Sequence, residues 1–231
     1  MLPTSTARAE SVDAAAVYED LRQELIDILR SASADELDRT VAATPAWRVR
    51  DVLAHVAGIT YDLNRQDLAG DTDRQVDRHR DDPIKVVIAE WDREAPAFEE
   101  GLRLFGYPLG SHFVADLHAH LQDIRTTLGL PRHDDPATVL VALDFYLDDL
   151  DQGLRIEGGG LLTISAGEEV HLVGTGDPVG KLTGDPFEIL RCLSGRRSLV
   201  QIRRLDWSGA SEELAPRVSR YPLPVVDLPS D

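Results

Sequence analysis

The chain has 231 residues, with 41 acidic side chains against 24 basic ones, a formal charge of -17 and a single cysteine, Cys192. That length can bury a sizeable core, and the acidic balance repels a phosphate backbone, which argues against nucleic-acid binding. One cysteine rules out an internal disulfide and any multi-cysteine zinc site, so a metal would be held by His and carboxylate. No apolar run approaches the ~18 residues of a membrane span, and MLPTSTARAE lacks a basic-then-apolar signal pattern, so the expectation is a cytoplasmic protein.

From Asp13 to Arg30, Val17, Leu21, Leu25 and Ile28 repeat at helical spacing and predict a first amphipathic helix. Ser33 to Thr40 reads as a short helical turn or loop. Thr44-Pro45-Ala46-Trp47 interrupts regular structure before a second helix with the stripe Val49, Val52, Leu53 and Val56, extending through Ile59 and Leu63 towards Leu68. His55 borders that stripe, so its ring can face into a bundle. Gly70 to Asp82 is charged throughout and reads as a solvated loop or helix extension. Pro83 opens a third long helix carrying Trp91, Ala95, Phe98 and Leu102, which Pro96 should kink or split. GYPLG, residues 106–110, marks a tight reversal.

The next helix, roughly Ser111 to Leu128, carries DLHAHLQDIRTTLG. Asp116 and His120 are four apart, so both project from one helix face as a two-ligand claw. Asp123 shares that face and could orient a ligand, whereas His118 points nearly the opposite way. Gly129 caps the helix and Pro131 prevents its continuation. Two ligands hold a metal weakly, and the candidate third is His55. Alone, the Asp116–His120 pair reads equally as an ordinary surface pair, and His55 as a hydrogen-bonded core histidine. Trp47, Trp91 and Phe98 read as core, and the remaining histidines as surface or packing residues.

Asp135-Pro136 starts a fifth helical pattern ending near Arg155. Gly158-Gly159-Gly160 then introduces LLTIS and EVHLVG, the two strands of a hairpin, which suggests a domain boundary near Glu157. Asp185-Pro186 starts a helix that Gly195 stops, Ser198 to Trp207 is ambiguous between strand and helix, and the Pro-rich tail reads as extended. The expected organisation is α+β, with a helical bundle over residues 1–156 and a small α/β domain over 157–231.

Three stretches, TPAWRVRDVLAHVAG, DLHAHLQDIRTTLGLP and LTGDPFEILRCLSGRRSLVQI, resemble the mycothiol-dependent maleylpyruvate isomerase family, whose N-terminal part is a DinB-like metal-binding four-helix bundle. The resemblance implies that His55, Asp116 and His120 are metal ligands and that zinc is the metal. It also implies that mycothiol is the thiol cosubstrate and that Arg196, or its neighbour Arg197, is the cation of the family's Gly-Arg motif. Two departures stand out. The family's carboxylate is commonly Glu, and Asp116 has a shorter reach; the residue after the Trp is often Ser or Thr, and Arg48 leaves a helix cap unfilled or shifted, at a cost of about 1 kcal/mol.

Two imidazoles and one carboxylate leave a metal position open, as in catalytic sites. The family resemblance implies that a thiol there is held as thiolate and adds to a cis double bond of a small electrophile; rotation and elimination then return the trans isomer. Thiol transfer, a hydrolase using metal-activated water, and a non-catalytic binding or stress-response bundle are the alternatives. For Arg196 and Arg197 the plain reading is charge at a helix C-terminus.

Overall fold

The computed structural model describes residues 9–229; all but the last two residues of MLPTSTARAE fall outside them. Contacts gather the described residues into two compact units, 13–133 on one hand and 134–229 with 9–12 on the other.

The helical unit contains α1 (Ala14–Ser31), α2 (Ala34–Leu37), α3 (Val49–Asn64), α4 (Thr72–Arg78), α5 (Ile84–Phe105) and α6 (Tyr107–Leu128). Asp13 starts α1 because its carboxylate accepts the otherwise orphaned amides of Ala15 and Ala16, each at 3.1 Å. The stripe Leu21, Leu25 and Leu29 is then fully buried. α1 packs against α5 and α6, and α3 packs against α5 and α4. Two polar clusters lie inside this packing. The Arg22 guanidinium donates to Glu99 at 3.0 Å and to Asp92 at 2.7 Å. Thr60 Oγ1 accepts the Trp91 indole N–H at 3.0 Å and lies 3.3 Å from the Tyr18 hydroxyl. Burial pushes the Tyr18 phenol up to about 12, so it stays neutral.

The structure departs from the sequence reading at four places here. α3 ends at Asn64, leaving Leu68 exposed. The charged stretch 70–82 contains α4, which Asp71 caps through Arg74 N at 3.0 Å and which buries Gln75, Val76 and the following His79. Charged residues on the outer side of so short a helix hid a buried face that is itself largely polar, with Val76 between Gln75 and His79. α5 is not split: it runs 22 residues across Pro96, with Trp91, Ala95, Phe98 and Leu102 buried on either side of it. The claw helix starts at Tyr107 rather than Ser111. Gly106 makes the reversal alone at φ 78°, open to glycine, and Pro108 loses nothing in a first turn whose amides have no helical partner.

The second unit begins with α7 (Pro136–Glu157), capped by Asp135 at its start and by Gly158 in the left-handed conformation at its end. By packing α7 counts with the sheet that follows; by sequence character it ends the run of helices before the triple-glycine break. The strands β1 (Leu161–Ala166), β2 (Glu169–Gly174), β3 (Pro178–Gly184) and β4 (Asp206–Gly209) form one sheet in the order β2-β1-β3-β4. β1 and β2 are the expected antiparallel hairpin, with Ile164 opposite His171. β3 runs parallel to β1, and β4 runs antiparallel to β3. Between β3 and β4 lie α8 (Pro186–Leu193) and α9 (Leu199–Arg203), followed after β4 by α10 (Ser211–Leu214) and a 3-10 turn. The ambiguous stretch 198–207 is therefore a capped helix and then a strand. The fold is α+β, mostly helical with a small four-stranded sheet.

Candidate metal centre

α6 places Asp116 and His120 one turn apart, with His120 Nε2 3.7 Å from Asp116 Oδ1. His55, from the buried side of α3, meets them: its ring centroid is 5.0 Å from that of His120, at an interplanar angle of 76°. One ligand-type atom from each of the three residues lies within 4.8 Å of the other two. Tetrahedral zinc with bonds of ~2.0–2.1 Å sets its donors about 3.4 Å apart, so side-chain shifts of roughly 0.7 Å would close the widest gap. The donor set therefore fits a divalent metal, and Asp116 reaches the cluster despite its short side chain. Both imidazoles are buried, whereas the Asp116 side chain is 33% exposed, which leaves the carboxylate side of the cluster open to solvent.

At the start of α3, Arg48 in place of the family's Ser or Thr makes no side-chain cap hydrogen bond. Asp51, in the first turn, accepts the Arg48 backbone N–H at 2.9 Å, and its two oxygens also receive the Arg48 guanidinium at 2.9 and 3.0 Å. Asp51 thus fixes the Arg48 end of the turn, while no side chain at the cap position accepts from the first-turn amides of α3. Just before it, the turn from Val41 to Trp47 is held by Val41 N donating to Trp47 O at 2.9 Å and Trp47 N to Thr44 O at 2.8 Å. This turn sets the half-buried Trp47 beside the cluster, with ring centroids 5.0 Å from His55 and 6.4 Å from His120. Trp47 is therefore not a core residue like Trp91.

Sequence reasoning also missed Gln75. Its Oε1 is 2.8 Å from His55 Nδ1, and its Nε2 donates to Asp62 Oδ2 at 2.9 Å. The available signal was the spacing of Gln75, Val76 and His79 after the capping Asp71. Asp123 is buried one turn beyond His120 and is not a member of the three-residue cluster. His118 is buried away from it, with Nε2 3.0 Å from the His133 carbonyl oxygen.

Residues 18–106 match the family model described as the mycothiol maleylpyruvate isomerase N-terminal domain. This segment belongs to that domain family. The isomerase-family segment spans most of α1 through α5 and so holds His55, Trp47 and Gln75, but it ends before Asp116 and His120. A crystal structure of the mycothiol-dependent maleylpyruvate isomerase shares the fold, with a TM-score of 0.51 at 12% identity, covering 84% of this chain and 92% of that one. A mutant of that enzyme matches with a TM-score of 0.48 at 11% identity over the same shares. No curated protein sequence matches the chain.

In the C-terminal unit the two arginines after Gly195 are held differently. Arg197 is buried and clamps Glu188 through Nε at 3.0 Å and Nη2 at 2.8 Å. Arg196 is half-buried and donates from Nη1 to the Ser194 carbonyl at 2.9 Å. Cys192 is 1% exposed, and burial pushes its thiol up to about 12.

Proposed function

We propose that this chain is a mycothiol-dependent metalloenzyme acting on a small, maleylpyruvate-like electrophile, either isomerising it or joining it to the thiol. The observation that carries the reading is the meeting of His55, Asp116 and His120 from two helices, in a chain whose N-terminal segment belongs to the isomerase family's domain. His55 and His120 would hold the metal as neutral imidazoles and Asp116 as a carboxylate, with zinc the metal suited to this donor set. A divalent metal held there supplies the positive charge that keeps a nearby thiol deprotonated at neutral pH.

The protein's own thiol is unsuited to the nucleophile's role. Cys192 is buried and its high pKa leaves it protonated, so the thiol must come from a cosubstrate. The buried imidazoles keep water from one side of the cluster, while the exposed side of Asp116 is where a cosubstrate can approach. Trp47 offers an aromatic wall beside both imidazoles. Adding the thiolate to the cis double bond makes it single; rotation and expulsion of the same thiolate restore the bond as trans, so the thiol is not consumed. Arg196 is proposed, as the cation of the Gly-Arg motif, for the group that receives a substrate carboxylate. Asp123 is assigned the orienting of a ligand on α6, and a cytoplasmic location belongs to the same proposal.

Metal content per chain, measured by elemental mass spectrometry for the wild type and for folded His55→Ala, Asp116→Ala and His120→Ala, tests the centre. About one zinc per wild-type chain, lost in each variant, is the expected result. Turnover of maleylpyruvate that requires both the metal and mycothiol tests the reaction. A wild type that takes up no metal when zinc is supplied overturns the metalloenzyme reading, and metal-dependent turnover without thiol would make the chain a hydrolase.

A further inference from the structure

We infer that Gln75 is a positioning residue that sets the tautomer of His55, and through it the nitrogen that His55 presents to Asp116 and His120. Its purpose rests on the metal reading above, but its physical basis does not. Gln75 is 4% exposed and lies between two groups with opposite demands. Asp62, 7% exposed, presents a carboxylate that can only accept, and Oδ2 sits 2.9 Å from Gln75 Nε2 and 3.2 Å from Arg74 Nη2. The amide end must therefore face Asp62 and donate to it, which turns the carbonyl end to His55. A carbonyl only accepts, so the Nδ1 atom 2.8 Å away must carry the proton. In the neutral imidazole that leaves Nε2 bare, and Nε2 is then the only lone pair His55 can give to a cation.

The backbone is shaped for this contact. A Cβ at Gly58 would lie 2.7 Å from Gln75 Cβ and 2.8 Å from its Cγ, so α4 reaches α3 only because residue 58 has no side chain. The charge of Asp62, the orientation of one amide and the protonation of one imidazole are thus a single chain of constraints. All of its members lie on α3 and α4, outside the claw helix.

The test uses the full-length, metal-free protein and long-range proton–nitrogen NMR correlations of His55, with zinc affinity as a second readout. In the wild type His55 should show Nδ1–H with bare Nε2. Gln75→Leu should release that tautomer and weaken zinc binding about 10–100-fold, as loss of an outer partner of a metal-binding His does. Asp62→Asn frees the amide to turn over and should shift His55 towards Nε2–H. A wild-type His55 protonated on Nε2, or a folded Gln75→Leu with both tautomer and zinc affinity unchanged, overturns the inference. If the wild type binds no zinc, the metal reading falls, while the tautomer comparison still decides the role of Gln75.

Discussion

The indole of Trp47 sits 5.0 Å, centroid to centroid, from the imidazole of His55, and the two rings are inclined by 43°. Because Trp47 also lies 6.4 Å from His120, it is close enough to report on an open-shell cation at the cluster. Titrating Co²⁺ into the wild type should quench a component of tryptophan fluorescence that is missing from Trp47→Phe. Equal quenching in the two proteins would place the cation elsewhere.

Asp116 should tolerate lengthening better than removal. Asp116→Ala is expected to lower zinc affinity by more than the ~100-fold that loss of an outer hydrogen-bonding partner costs. Asp116→Glu should keep binding, because the carboxylate remains on the face of α6 shared with His120. Competition with a chromogenic chelator measures both.

Gly58→Ala should destabilise the helical unit by about 1–3 kcal/mol, the usual cost of forcing an extra methyl into a filled contact, because the new Cβ would meet Gln75 at 2.7 Å. Urea unfolding gives the stability. The same variant should bind zinc more weakly, since the group it displaces is the partner of His55 Nδ1.

Arg22→Met is expected to cost about 3–5 kcal/mol, because it leaves a buried carboxylate without its cation. Glu99 is 6% exposed, and its burial already pushes its pKa up against the opposing pull of Arg22. Arg22→Met combined with Glu99→Gln should recover part of the loss in thermal unfolding; no recovery would mean that packing, not charge, dominates.

Glu94 gives a pH prediction of definite sign. Hydrogen bonds from Arg65, followed by that from Asn64, hold its carboxyl down at about 2, against an ordinary value of 4.5. A carboxyl lowered on folding contributes stability above its unfolded pKa, and the contribution is lost as pH falls from about 5 towards 2. The gap in unfolding midpoint between wild type and Glu94→Gln should therefore be largest near neutrality and narrow below pH ~5. A gap independent of pH would exclude the ion pair as its cause.

Much of this protein is legible along the chain. The first helix with Leu21 and Leu25 on its buried face, the stop at Gly129 and the LLTIS–EVHLVG hairpin are local signals, produced by interactions within a few residues, and local physics was enough to read them, although Val17 and Ile28 of the expected stripe are only half-buried and Leu29 is buried in their place. The four-residue spacing of Asp116 and His120 belongs to the same class: a helix makes them neighbours whatever else folds. His55 was the weaker reading, since a lone histidine on an apolar stripe has no local feature that tells a ligand from a packed ring.

Only the tertiary structure decided which distant groups meet. His55 comes within reach of His120 because α3 and α6 belong to one bundle, a contact between residues 65 positions apart that no periodicity encodes. Gln75 was hidden in a charged stretch whose composition reads as solvated, and its value comes from Gly58 on a neighbouring helix admitting it. The parallel pairing of β3 with β1, and the division of labour between Arg196 and Arg197, follow from sheet topology and from where Glu188 falls on α8. Helix and turn formation are settled by neighbours in sequence; the tautomer and surroundings of a site residue are settled by neighbours in space, and those are fixed only when the chain packs.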